Sequence, residues 1–143
     1  MTLKELSQLY HLTQEIKADQ RRLEELTALV GAPATAQLTG MPHAPHENSS
    51  KVERQVAEIV DLQAIIAARQ IQCIHERARL ERWISEIPDS FTRRVFMYRF
   101  VDKLTWPQVA AQIGGGNSES AVKMVCHRYL KAYNERGETH EID

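Results

Sequence analysis

The chain has 143 residues, 43% apolar and 26% charged, with formal net charge −1. That balance fits a globular chain of one domain or one domain with an appendage, and excludes a low-complexity or strongly polyionic protein. No apolar run reaches the roughly 18 residues of a membrane span, and "MTLKELSQLY" has neither the charge pattern nor the apolar core of a signal peptide, so a cytoplasmic protein is expected.

Residues 2–30 read as one helix. Leu3, Leu6, Leu9, Leu12, Ile16, Leu23, Leu26 and Val30 recur at steps of three and four, and Gly31 with Pro33 supplies the stop. Residues 31–50, "GAPATAQLTGMPHAPHENSS", carry three prolines and no periodicity, and read as a loop. A second helix is expected over 51–87, capped by Ser49 or Ser50 with Glu53 completing a capping box, and ended by Pro88. Its stripe runs through Val52, Val56, Ile59, Leu62, Ile66, Cys73, Leu80, Trp83 or Ile84, and Ile87. At 1.5 Å per residue the two helices reach roughly 43 and 55 Å, too long to bury a single stripe alone. An antiparallel hairpin over 1–87, completed by a second copy of the chain, is the economical solution.

A third helix is expected over 89–103, starting at Asp89 or Ser90, with Phe91, Val95, Phe96, Phe100 and Leu104 inward. A fourth covers 105–113, where Thr105 and Gln108 stand at capping-box spacing and Pro107 lies in the first turn. "GGGN" follows, and a fifth helix runs from Asn117 or Ser118 to about Tyr133, burying Val122, Val125, Cys126, Tyr129 and Leu130. No strand pattern is visible, so the fold class is all-α.

A nine-residue helix joined by four residues to a longer one cannot pack flat and antiparallel. The pair must cross steeply, with Ala110 and Ala111 permitting close approach and Gly114 closing the first helix in a left-handed conformation. That is the layout of a helix-turn-helix, whose second helix enters the major groove. Removing the apolar stripe of the fifth helix leaves Ser118, Glu119, Ser120, Lys123, Met124, His127, Arg128 and Lys131. Ser118 and Ser120 are short enough to approach bases, Met124 suits a thymine methyl, Lys123, Arg128 and Lys131 suit phosphates or guanine, and His127 shares their face. Charge supports the same segment. Residues 1–87 carry 10 Lys/Arg against 12 Asp/Glu, residues 88–136 carry 8 against 4, and the tail 137–143 holds three carboxylates and no Lys or Arg.

"RVFMYRFVDKLTWPQVAAQIGGGNSESAVKMVCHRYLKAY" resembles region 4 of sigma-70-type factors, and more closely the RinA- and ArpU-type regulators of late phage genes. The match covers about residues 90–133 and rests on Val95, Phe96, "RF" at Arg99–Phe100, "LT" at 104–105, "VA" at Val109–Ala110, "IG" at Ile113–Gly114, "SAVK" at 120–123 and "HR" at 127–128. Three positions depart from it. Lys103 stands where the family usually has glycine, Gln108 replaces a common glutamate, and the glycine turn is longer. The resemblance implies a sigma-region-4-like helix-turn-helix domain over 88–136, following the long antiparallel helical hairpin that the helix lengths predict for 1–87. It also implies a phage-encoded transcription regulator in the bacterial host cytoplasm, with double-stranded DNA and RNA polymerase as partners. No stretch resembles the sigma domain that melts promoters, so a complete sigma factor is not expected. Two other readings stay open: a small terminase-like packaging protein, which would form a ring, and a sigma-like interaction module without specific DNA binding.

Catalysis is not expected. "GGGN" lacks the Lys-Ser/Thr of a phosphate-binding loop. Cys73–His75 and Cys126–His127 do not repeat at zinc spacing, and no carboxylate pair stands out. Neither a cofactor nor a metal is implied, and Cys73 and Cys126 read as small apolar residues.

Overall fold

The computed structural model describes residues 1–31 and 45–140, with side chains described over 1–31 and 50–137. All regular structure among the described residues is helical, without a strand: α1 Leu3–Leu6, α2 Gln8–Gly31, α3 Pro45–Ser85, α4 Ser90–Phe96, a π-helical turn Met97–Val101, α5 Trp106–Ile113 and α6 Glu119–His140. No helix among them is long and apolar enough to cross a membrane. Of the loop expected over 31–50, residues 32–44 lie outside the described residues, as does the end of the acidic tail, 141–143, while residues 45–50 are helical.

The chain forms two compact units, Gln14–Ile71 and Met1–Thr13 with the chain from Gln72 onward. In the first, α2 and α3 run antiparallel, since Arg22 pairs with Glu58 at 3.2 Å while Asp19, three residues earlier, pairs with Arg69. Leu26 and Ile66 are buried there. The Arg22–Glu58 pair is exposed and sets register more than stability, while the Arg69–Asp19 pair is partly buried.

The second unit holds the main core. Leu6 and Leu9, Leu80, Ile84 and Ile87 pack in one cluster with Val95, Phe96, Phe100, Val101, Val109, Val122, Cys126 and Leu130. Leu6 to Leu9 and Leu80 to Ile87, which the sequence assigns to the hairpin, thus supply part of the floor beneath α4, α5 and α6. Trp83 ties α3 to this group through Phe96, Tyr129 and Tyr133, with ring centroids 5.6, 6.1 and 5.2 Å away.

The structure corrects several expected boundaries. The first helix is divided at Ser7 into α1 and α2, and a capping box of Thr2 and Glu5 opens α1. α3 begins at Pro45, so Ser50 lies inside the helix rather than at its N-terminal cap; a proline in the first turn forfeits no intrahelical bond, which is why that start is permitted. The third helix is α-helical only to Phe96. Asp102 N–H then reaches back to Met97 O at 3.0 Å, the five-residue span of a π turn, and the extra residue turns both Phe100 and Val101 inward. Ala111 is exposed, leaving Ala110 alone to pack toward the core. α6 continues beyond Tyr133 to His140.

Candidate nucleic-acid interface

The outward position of α6 is set by the segments before it. Asp89 caps α4, its Oδ2 accepting from Thr92 N–H at 3.0 Å and from the buried Thr92 hydroxyl at 2.6 Å. Those two bonds hold the Asp89 carboxyl below its usual pKa. Arg93 donates to the Ile87 and Pro88 carbonyls at 2.8 and 3.3 Å, closing the corner between α3 and α4. Lys103, with φ 59°, is the one non-glycine among the described residues with left-handed φ, and it reverses the chain into α5. Thr105 and Gln108 then form the expected capping box.

α5 ends at Gly114, whose φ 70° and ψ −158° fall in a region essentially reserved for glycine. Gly115 and Gly116 continue with φ 66° and 71°. Asn117 closes the turn, its Nδ2 donating to Gly114 O at 2.9 Å, and Ser118 Oγ accepts from Ala121 N–H at 3.1 Å to cap α6. Val122, Cys126 and Leu130 are then buried at four-residue steps, which fixes the rotation of α6 about its own axis.

With that rotation fixed, all seven residues singled out from the sequence, Ser118, Ser120, Lys123, Met124, His127, Arg128 and Lys131, are exposed. At 100° per residue, Ser120 through Lys131 occupy one arc of about 140° beside the buried stripe and clear of it, and they span about 16 Å of axis. Lys123 and Lys131 make only loose pairs along the helix, with Glu119 at 3.7 Å and Glu135 at 4.0 Å. Such exposed pairs contribute about 0.3–0.5 kcal/mol, small enough to exchange for a phosphate. Arg128 makes no hydrogen bond or ion pair among the described residues. Ser118 has two duties, since its hydroxyl is spent on the cap.

The charge count concealed a division of labour. Arg93 is bound to backbone carbonyls, Arg94 lies 5.9 Å from the Tyr98 ring centroid, Arg99 lies 4.8 Å from that of Trp106 and donates to Leu104 O at 2.8 Å, and Lys103 donates to Thr13 Oγ1 at 3.2 Å. Half of the eight cations in residues 88–136 therefore hold the fold, a use that composition cannot reveal.

Cys126 is fully buried, and burial pushes its thiol up to about 12. Cys73 is half-buried and also free. Among the described residues no group of three His, Cys, Asp or Glu side chains is placed to hold a metal; His43 lies outside the described residues, as does the side chain of His46. No family model, curated protein or solved structure matches the chain.

Proposed function

We propose that this protein is a DNA-binding transcription regulator in which α5, the glycine turn and α6 act as a helix-turn-helix and α6 docks in the major groove. The observation that carries this reading is the face of α6: Ser120, Lys123, Met124, His127, Arg128 and Lys131 are exposed on one arc of a helix whose other side is buried. A groove about 12 Å wide accepts such a helix, with short residues near its start and cations along its sides. The lysines and Arg128 would supply non-specific affinity through counterion release, while Ser120 and Met124 offer short contacts to base edges.

The phage setting and contact with RNA polymerase come from the resemblance to sigma region 4, carried by "RF", "LT", "VA", "IG", "SAVK" and "HR" at the positions given above. Self-association has its own support. In the Gln14–Ile71 unit, Val52, Val56, Val60 and Ile71 are 44–56% exposed on one side of α3. Ala64 and Ala67 continue this stripe, and between Val56 and Ile71 it carries no formal charge. Pairing about 30 Å of this face with its copy covers on the order of 600 Å² on each chain, near the lower bound for a stable dimer.

The test is anisotropy of the full chain with duplex DNA flanking its own gene, across a salt series. Saturable binding whose affinity falls steeply with salt supports the reading. Absence of binding at low salt, with polymerase still retained, would establish an interaction module instead. Light scattering adds the assembly: a dimer favours regulation, and a ring of about eight or more copies favours packaging.

A further inference from the structure

The start of α2, the π turn and the loop before α5 enclose a cavity of about 320 Å³ in the second unit. Its charge is one-sided. Arg99, Lys103 and His11 line it, and no carboxylate does. Leu6 and Phe100, both buried, give it an apolar floor, and Tyr10 also lines it. A few polar groups over an apolar floor, at this volume, describe a small-molecule pocket better than a packing defect.

Two further features converge on it. The π turn, which inserts one residue into the helix, carries both Arg99 and Phe100 to the cavity. Lys103 holds the strained left-handed backbone, at φ 59°, where glycine would adopt the same turn without strain. Neither cation is exhausted by its internal contact. Arg99 uses Nη1 on Leu104 O, leaving Nη2 and Nε, and Lys103 uses one of three ammonium protons on Thr13.

We infer that this cavity is a binding site for a small organic anion, a carboxylate or phosphate carried on a compact apolar body. The head group sits between Arg99 and Lys103 and the body rests on Leu6 and Phe100. Thr105, which caps α5, also lines the cavity, so occupancy braces the first turn of α5. The site does not depend on α6 entering DNA.

The experiment is a heteronuclear NMR titration of the isotope-labelled full chain with phenyl phosphate, benzoate and neutral benzyl alcohol. Saturable shifts confined to residues 6–13 and 98–106 are expected for the two anions and not for the alcohol. Lys103→Gly removes the charge and the bond to Thr13 but relieves the left-handed backbone, so it is expected to fold with a melting temperature close to the parent's. Its affinity for phenyl phosphate is expected to fall about tenfold, the loss of one charge-assisted hydrogen bond. The inference is overturned by no saturable shift up to about 10 mM anion, by equal binding of the alcohol, by shifts centred elsewhere, or by unchanged affinity in a folded Lys103→Gly. None of these results bears on DNA binding by α6.

Discussion

Arg99 lies with its guanidinium carbon 4.8 Å from the centroid of the Trp106 ring, so a residue of the π turn grips the first residue of α5. The same side chain donates to Leu104 O between them. Three consecutive pieces of the chain are thus tied by one half-buried cation. Arg99→Ala is expected to cost about 1–2 kcal/mol, from a charge-assisted hydrogen bond and a partly solvated cation–π contact. Arg99→Lys is expected to recover less than half of that, because an ammonium cannot stack as a plane. Urea midpoints measure both, and full recovery by lysine would mean that charge alone matters there.

At Gly114 the cost of substitution is conformational only. A Cβ there would meet nothing within 4 Å, yet φ 70° with ψ −158° is a backbone state that side chains rarely enter. Gly114→Ala is therefore expected to destabilise by about 1–3 kcal/mol, and Gly115→Asn by much less, since asparagine tolerates positive φ. Equal denaturation midpoints for the two variants would show that the turn relaxes into another shape.

These two sites mark the limits of reading the sequence alone. Residues 105–133 were legible because each local signal is strong and all agree: Thr105 with Gln108, three glycines, then Val122, Cys126 and Leu130 at helical spacing. The exposed face of α6 followed by subtraction. The π turn was not legible, since an inserted residue only shifts the apolar phase and leaves the adjacent pair Phe100–Val101 as its trace. The start of α3 was misplaced because Ser50 with Glu53 imitates a capping box inside a helix that begins at Pro45. Charge counting sums Arg99 and Lys103 into the basic surplus of residues 88–136, while the fold uses both as internal donors.

Cys126 gives the fold a pH dependence at the alkaline end. Its thiol is held neutral up to about pH 12 by burial, while in the unfolded chain it ionises near the ordinary 9.0. Between those values the unfolded state binds fewer protons, so stability falls as pH rises, with a limiting slope of about 1.4 kcal/mol per pH unit. Cys126→Ala is expected to flatten this dependence although it costs stability at neutral pH. At pH 8 a thiol reagent is expected to label half-buried Cys73 well before Cys126. Equal labelling rates would contradict the burial.

Val60 and Ile71 are each 56% exposed on α3, so a charge at either position has solvent available in a single copy of the chain. Val60→Glu with Ile71→Glu is expected to convert a dimer to monomers in light scattering, with far-ultraviolet helicity unchanged. An assembly that survives both changes would exclude this side of α3 as the contact.

The α6 face is tested by two substitutions that should leave the fold alone. Lys123 and Arg128 are exposed, whereas the packing of α6 is carried by the buried Val122, Cys126 and Leu130. Lys123→Ala with Arg128→Ala is therefore expected to leave the urea midpoint within about 0.5 kcal/mol of the parent. If both side chains neutralise phosphates, the slope of log affinity against log salt becomes shallower by about 2, at about 0.9 for each phosphate no longer neutralised. If Arg128 instead reads a guanine, its single replacement costs about 1–3 kcal/mol and relaxes preference at one base pair, while Lys123→Ala weakens all duplexes alike. Arg99→Ala serves as the opposite control, because it lowers stability and is expected to leave the slope unchanged wherever the protein remains folded. A parent-like slope and affinity in the Lys123/Arg128 double variant would remove α6 from the DNA interface.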